Sequence, residues 1–172
     1  MASELLTYTF VCKLSELPHG SKKCITLPGS QRSVMLLNVQ GQVFCIDQAC
    51  YHHGGPLANG DIEELGGKLT IKCPWHAYHI VVATGEGIYK GVDMVMTASG
   101  TWTASSPRLK SKGVKQRTHF VELRNDGQDV YVADSSTIPG AVIIESDVYA
   151  FRPAPLPAAT MKTNVHLHSR FE

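Results

Sequence analysis

The feature that most constrains this chain is the stretch from Cys50 to His76, because each end of it presents one cysteine and one histidine. The first end reads C-Y-H-H-G-G-P-L from Cys50, and the second reads C-P-W-H from Cys73. Glycine and proline mark both ends as short loops. Thiolate and imidazole are donors that iron and zinc accept from proteins. The pattern therefore predicts two loops that close on one metal-binding site.

Each loop contains both a cysteine and a histidine, and this order helps to distinguish between two kinds of metal site. A [2Fe–2S] cluster needs four protein ligands, and two histidines can replace two cysteines on one of its irons. A structural zinc also accepts two cysteines and two histidines. Zinc fingers, however, normally place a cysteine pair before a histidine pair, whereas each loop here is mixed. The order favours the cluster, with the cysteines on one iron and the histidines on the other.

These residues resemble the cluster-binding motif of the Rieske family, and the chain is similar to Rieske-type ferredoxins, in particular to the Rieske domain-containing proteins of animals. The resemblance implies one [2Fe–2S] cluster per chain, held by Cys50, His52, Cys73 and His76. Residues 53–72 separate the two loops, a few more than the family usually has. We expect the extra length to loop out at the polar, glycine-rich segment 61–68. In a different register, His53 or His79 would replace a ligand.

The resemblance also gives roles to residues around the ligands. Gly54 and Gly55 are expected to let backbone N–H groups approach the bridging sulfides. Pro74 is expected to restrict the second loop, Trp75 to cover the cluster, and Tyr78 to offer a hydroxyl. Rieske proteins of the cytochrome bc type join the two loops by a disulfide. The corresponding positions here look like Gly55 and Trp75, so another device must hold the loops together.

One position bears on the reduction potential. High-potential members carry Gly followed by Ser directly after the last histidine ligand, where this chain has Ala77 and Tyr78. Hydroxyl donors to the cluster sulfurs raise the potential. The resemblance therefore implies a low potential.

Short apolar runs between turn signals predict an all-β fold. The resemblance implies stacked antiparallel β-sheets with an inserted cluster-binding subdomain. The basic run 108–117 contains no acidic residue, and we interpret it as a solvated loop rather than a docking patch for an acidic redox partner. The predicted strands are residues 7–14, 22–27, 33–39, 43–47, 69–72, 79–82, 119–124 and 130–133.

We expect a Rieske domain over residues 7–134, followed by a proline-containing extension of unknown structure over residues 135–172. Segments 142–144 and 165–168 of this extension could add edge strands, although a mobile tail is the favoured interpretation.

Composition narrows the function classes. A net charge of +1 gives no support for nucleic-acid binding, and no apolar run is long enough to cross a membrane. The N-terminus lacks the features of a signal peptide, so a cytoplasmic protein is expected. Five cysteines, an odd number in a reducing compartment, argue against a disulfide framework. Cys12 and Cys45 are predicted to be buried thiols.

The function that the resemblance implies is electron transfer. A flavin-dependent reductase would be the donor, and an oxygenase or similar protein the acceptor, with the carrier itself expected to be a monomer without substrate chemistry. The alternative is a Rieske component or small subunit of a larger oxidoreductase, either an oxygenase or a protein like nitrite reductase. An oxygenase would need a 2-His-1-carboxylate iron site, and the sequence after His76 shows no convincing pattern for one.

Overall fold

The computed structural model describes residues 6–151, 161–162 and 165–166. Their fold is nearly all β, as the sequence predicts. In chain order, the strands are β1 (Thr9–Lys13), β2 (Ser21–Thr26), β3 (Ser33–Val39), β4 (Gln42–Asp47), β5 (Asp61–Leu65), β6 (Lys68–Lys72), β7 (His79–Val81), β8 (Glu86–Gly91), β9 (Met94–Met96), β10 (Trp102–Ala104), β11 (Arg108–Val114), β12 (Thr118–Arg124), β13 (Asp129–Ala133), β14 (Met161–Lys162) and β15 (Val165–His166).

The strands form two large sheets and one small ribbon. A seven-stranded sheet has the order β1-β13-β12-β4-β3-β2-β14, and a six-stranded sheet has the order β11-β8-β7-β6-β5-β15. The pairing is antiparallel except between β15 and β5, which run parallel. Strands β9 and β10 pair only with each other. The predicted stacked antiparallel sheets, with a cluster subdomain inserted between β4 and β12, are confirmed.

Strand β3 shows how the sequence builds the core. All seven of its residues are buried, and successive side chains point to opposite faces of a strand. Val34 and Leu36 therefore join a core inside the seven-stranded sheet. Met35 and Leu37 join a second core between the two sheets, which also contains Cys50 and Cys73. The two candidate cysteine ligands therefore belong to the core between the two sheets.

The hairpin that enters the first loop follows from its turn residues. Gln40 and Gly41 have φ values of 53° and 83°, and positive φ at both central residues is the requirement of a type I′ hairpin turn. The turn fixes the register of β3 and β4, with Val39 opposite Gln42. Strand β4 then delivers the chain to Cys50.

Two expectations about loops are wrong. Segment 61–68 does not loop out but forms β5 and its turn into β6, with Gly66 and Gly67 at positive φ. Ile62 is the one fully buried residue of β5. Its neighbours in the sequence are acidic, so the segment shows no apolar run. The basic segment is not a loop either, because residues 108–114 form β11, which pairs with β8.

The ribbon of β9 and β10 is open to solvent on both faces. Every residue of the two strands is exposed, including Met94 at 58%, Met96 at 59% and Trp102 at 58%. It is inserted between β8 and β11, which belong to the six-stranded sheet.

The C-terminal extension packs on both sheets. Ser33 N–H donates to Ala150 O at 2.7 Å, after a 3-10 turn over Glu145–Tyr149. Strand β14 pairs with β2 of the seven-stranded sheet, and β15 pairs with β5 of the six-stranded sheet. The possible edge strand at 165–168 is therefore present over its first two residues, while 167 and 168 lie outside the described residues. Segment 142–144 forms no strand.

A buried charge network attaches this extension to the seven-stranded sheet. Arg32 makes two hydrogen bonds to Asp47, of 2.6 and 2.8 Å, and also contacts Asp147. Arg117 binds both carboxylate oxygens of Asp147 at 2.6 Å. Arg32 and Asp47 are 3% and 1% exposed. Such charges stabilise a fold only when each keeps its partner, because an unpaired buried charge is costly.

Within the described part of the chain, no helix has the length and apolar character needed to span a membrane.

Candidate metal centre

The two loops predicted from the sequence have the same backbone pattern. Cys50 N–H donates to Gly55 O at 2.8 Å, and Gly54 N–H donates back to Cys50 O at 2.8 Å. In the second loop, Cys73 N–H donates to Tyr78 O at 2.8 Å, and Ala77 N–H donates to Cys73 O at 2.9 Å. Each cysteine therefore lies at the closed base of its loop, held at both its N–H and its carbonyl.

The two cysteines form a buried pair. Cys50 is fully buried, and Cys73 is 2% exposed. The Cys50 thiol donates to the Cys73 sulfur, which raises the pKa of Cys50 and lowers the pKa of Cys73. The backbone N–H groups of Trp75 and His76 also donate to the Cys73 sulfur and lower its pKa further. Convergent N–H groups of this kind stabilise negative charge on sulfur, as metal binding by a thiolate requires.

The two histidines form a second pair, at the surface. His52 Nδ1 and His76 Nδ1 are 3.3 Å apart, and the rings meet edge to face with centroids 4.8 Å apart. Desolvation, together with the neighbouring His53, His76 and Lys112, lowers the pKa of His52. A neutral imidazole is the form that binds metal. With the Nδ1 atoms facing each other, the Nε2 atoms lie on the other side of each ring.

The two alternative histidines, His53 and His79, differ in their distance from this pair. The exposed ring of His53 stacks at an angle on His52, with centroids 4.0 Å apart. His79 belongs to β7, and its Nδ1 atom lies 3.8 Å from Glu63 Oε2. Among the motif histidines, it is His52 and His76 whose nitrogen atoms face each other.

The residues expected to support the ligands surround the two pairs. A Cβ atom on Gly55 would lie 2.8 Å from Cys73 Sγ and 3.2 Å from the Trp75 ring, so only glycine fits between them. Gly54 has a φ of 71°. Trp75 is 54% exposed, and Pro74 beside it is exposed too. The Tyr78 ring stacks on His52 at 4.2 Å, with Lys112 Nζ 3.9 Å from its centroid.

All five cysteines are free thiols, and Cys12 and Cys45 are buried as predicted. Aromatic rings of the two loops contact each other. Tyr51 of the first loop contacts Tyr78 of the second edge to face, with centroids 5.7 Å apart. The Tyr51 hydroxyl is buried without a hydrogen-bond partner among the described residues.

One residue of this site is absent from the sequence-based expectations. Gln116 is fully buried, and its side-chain amide makes three hydrogen bonds to the backbone of the first loop. No local pattern marks it, because its partners lie 65 to 69 residues earlier in the chain.

These residues fit a [2Fe–2S] cluster on two structural grounds. The donors form a thiol pair and an imidazole pair, as a cluster with one histidine-bound iron requires. Backbone N–H groups approach the cysteine sulfur, and Gly55 keeps the space beside it clear of a Cβ atom.

An all-β fold that presents cysteine and histidine from two matched loops defines a Rieske-type protein, and the comparisons agree. The family model for the soluble Rieske-type ferredoxin matches residues 15–137. A human Rieske domain-containing protein is 36% identical over 143 residues, which cover 83% of this chain and 84% of that protein. The chain belongs to the family of soluble Rieske-type ferredoxins, whose members bind a [2Fe–2S] cluster.

Two more distant likenesses are informative. The ferredoxin subunit of 3-phenylpropionate/cinnamic acid dioxygenase from Escherichia coli K12 is 25% identical over 79 residues, 46% of this chain and 69% of that subunit. A structure assigned as the NADH-dependent nitrite reductase small subunit of Mycobacterium tuberculosis superposes with a TM-score of 0.56 at 14% identity, covering 76% of this chain and 97% of that one. The second likeness shows the fold alone.

Proposed function

We propose that this protein is a low-potential electron carrier that moves one electron between a reductase and an oxygenase or other acceptor. The observation that carries the proposal is the arrangement of the two donor pairs. The thiol pair of Cys50 and Cys73 is buried, while the imidazole pair of His52 and His76 lies at the surface. A carrier needs its cofactor close to the surface, where a partner can approach it.

The same arrangement supports the ligand assignment. Cys50 and Cys73 would hold one iron, and His52 and His76 would hold the other through their Nδ1 atoms, which face each other. When bound, the cluster supplies a site that accepts and releases one electron. Tyr78 stacks on His52, and the exposed Trp75 ring offers an apolar contact to a partner. The low potential rests on position 78, where this chain has Tyr78, stacked on His52, in place of the serine of high-potential members.

The partners are redox proteins. The E. coli relative is a ferredoxin subunit of a dioxygenase, which supports an oxygenase or similar protein as acceptor. A flavin-dependent reductase is the proposed donor, and the carrier works as a cytoplasmic monomer. The domain division proposed from the sequence, 7–134 for the Rieske domain and 135–172 for the extension, is compatible with the family match over 15–137.

The alternative is a subunit of a larger oxidoreductase. Its structural support is the likeness to the nitrite reductase small subunit, which extends to the fold only. Size-exclusion chromatography of the protein from its native source distinguishes the two, because a carrier elutes alone and a subunit elutes with its enzyme.

The cofactor is tested by spectroscopy of anaerobically purified protein. We expect two irons and two acid-labile sulfides per chain, and a reduced EPR spectrum whose average g value lies distinctly below that of an all-cysteine ferredoxin. A zinc protein would be EPR-silent, and that result would reject the proposal.

The ligands are tested by single substitutions. Cys50→Ser, His52→Ala, Cys73→Ser and His76→Ala are each expected to lose the cluster, because each removes one of four protein ligands. Cys12→Ser, Cys24→Ser, Cys45→Ser, His53→Ala and His79→Ala are the controls, with iron and sulfide content as the measurement. Full iron content in His52→Ala, with loss in His53→Ala or His79→Ala, would show that the register is wrong.

Carrier and enzyme differ in what reduced protein does with oxygen. We expect chemically reduced protein to be reoxidised without converting any organic substrate offered to it. A third iron per chain, together with oxygen incorporated into a product, would instead establish an oxygenase.

A further inference from the structure

The side-chain amide of Gln116 makes three hydrogen bonds to the backbone around Cys50. Its Nε2 atom donates to Asp47 O at 2.9 Å and to Ala49 O at 2.8 Å. Its Oε1 atom accepts from Tyr51 N–H at 2.9 Å. These three backbone groups lie on both sides of Cys50, and the glutamine itself is fully buried. The amide therefore determines the path of the chain through the ligand.

This contact extends the pairing of two strands into the loop. Strands β4 and β12 pair at Cys45 with His119 and at Ile46 with Thr118, and Asp47 N–H donates to Arg117 O at 3.0 Å. The backbone pairing stops there. The Gln116 side chain then provides the donors and the acceptor that a neighbouring strand would otherwise supply as far as Tyr51.

The backbone of Gln116 is held as firmly as its side chain. Gln116 N–H and Lys115 N–H both donate to Gly85 O, at 3.0 and 2.9 Å. A Cβ atom on Gly85, whose φ is 74°, would lie 1.8 Å from Gln116 O. Gly85 belongs to the turn between β7 and β8, and β7 leaves the second loop. Gln116 thus connects the first loop to the sheet that carries the second.

We propose that Gln116 is the positioning residue that fixes Cys50 and His52 relative to Cys73 and His76, in the role that the interloop disulfide has in the cytochrome bc type. The inference rests on the proposed cluster ligands. Glutamine suits the position because one planar amide offers two donors and one acceptor. Without it, two carbonyls and one N–H of the loop would be buried without partners, and the loop would have to shift toward water to satisfy them.

The test replaces Gln116 by methionine, which keeps the length of the side chain and removes its hydrogen bonds. The matched control is Asn38→Leu. Asn38 is 5% exposed, and its amide also bonds the backbone, donating to Leu17 O at 2.7 Å and accepting from Gly41 N–H at 3.0 Å. These partners lie away from the cluster loops. Both variants remove buried amide hydrogen bonds, but only one of them contacts the loops.

Three quantities are measured on the cluster-loaded proteins: the rate of iron release to a chelator, the EPR line shape of the reduced form, and the urea midpoint of unfolding. We expect Gln116→Met to release iron about 10–100-fold faster than wild type and to show broadened or shifted g values. Asn38→Leu is expected to lower the urea midpoint while leaving the EPR spectrum unchanged. If Gln116→Met folds poorly, Gln116→Asn, whose shorter side chain cannot reach all three partners, takes its place with the same expectation.

Wild-type iron release and an unchanged EPR spectrum in the Gln116 variant would overturn the inference while leaving the proposed function intact. The same is true if both variants release iron only in proportion to their lost stability. A wild-type protein without a Rieske spectrum would overturn the proposed function, and the inference with it.

Discussion

Ala77 has a backbone conformation that favours glycine. Its φ is 55°, and it is the fourth residue after Cys73, as Gly54, with a φ of 71°, is the fourth residue after Cys50. The two loops thus require a left-handed residue at the same position. Glycine adopts this conformation freely, whereas a residue with a Cβ atom pays roughly 1–2 kcal/mol for it.

Ala77→Gly is therefore expected to stabilise the protein by up to about 1 kcal/mol. The relief of strain exceeds the extra flexibility that glycine gives the unfolded chain, which costs about 0.5–1 kcal/mol. Urea unfolding followed by circular dichroism measures the change. The reverse substitution, Gly54→Ala, is the control and should destabilise the protein. Loss of stability in Ala77→Gly would contradict this account of the second loop.

At the scale of single residues, the sequence predicts those sites whose residues lie close together in the chain. The two cysteine–histidine loops are recognisable because residue type and spacing lie within a few positions of each other. Gln116 is not recognisable, because its role depends on the fold bringing it to partners 65 to 69 residues away. A buried glutamine leaves no trace in a hydrophobic pattern.

Among the elements, the sequence predicts β3 and β4 but not β5, β8, β9, β10 and β11. Strands β3 and β4 follow from their apolar runs and from the turn between them. Strand β5 buries only Ile62 completely, and β11 is almost entirely exposed, so neither has an apolar period to detect. Both are held by pairing with a neighbour, which sequence periodicity does not report.

The buried histidine His119 joins three elements by charge. Its Nε2 atom lies 3.1 Å from Asp47 Oδ1 on β4, and its Nδ1 atom lies 3.4 Å from Asp134 Oδ1 after β13. Burial alone would lower the pKa of His119, but hydrogen bonds to Asp134 and Asp47 outweigh it and raise this pKa. Burial alone would raise the pKa of Asp47, but hydrogen bonds from Arg32 and His119 keep it low. Two further neighbours are the Ser135 N–H group, which lies 3.3 Å from Nδ1, and Cys45, a buried thiol opposite His119 whose own pKa is raised.

This arrangement predicts how stability changes with pH. Because the folded-state pKa lies above the unfolded value of about 6.5, protonated His119 contributes fully below about pH 6.5. The contribution is lost as the pH rises through the folded-state pKa. On the acid side, the contribution of Asp47 and Asp134 is present above about pH 3.9 and is lost as the pH falls, because their pKa values are lowered.

The difference in unfolding free energy between wild type and His119→Gln should therefore be larger at pH 6 than at pH 8.5. Urea unfolding at both pH values measures it. A His119→Gln effect that is equal at both pH values would mean that the ring is not charged in the folded protein.

For the whole molecule, the described residues of the C-terminal extension contact both sheets. The extension is proline-containing and aperiodic, which favoured a mobile tail. Yet Asp147 binds Arg117 in the buried charge network, and Ala150 O accepts from Ser33 N–H. Contacts of this kind come from single polar residues at irregular spacing, and they escape an analysis based on hydrophobic period.

Strands β14 and β15 have a consequence for how copies of this protein behave toward each other. Each covers the outer strand of one sheet, β2 in one case and β5 in the other. A bare strand edge presents unpaired N–H and C=O groups that can template pairing with another molecule. Residues 161–162 and 165–166 thus bear on self-association, because they pair with strands that would otherwise form one edge of each large sheet.

Removing residues 152–172 should therefore leave a protein that binds its cluster but self-associates as its concentration rises. Sedimentation velocity across a concentration series measures this, with the EPR spectrum as a check on folding. A shorter truncation, of residues 167–172, keeps both pairings and should sediment as wild type does. If the long truncation stayed monomeric at high concentration, β14 and β15 would not be needed to prevent pairing at the edges of β2 and β5, and the prediction would be wrong.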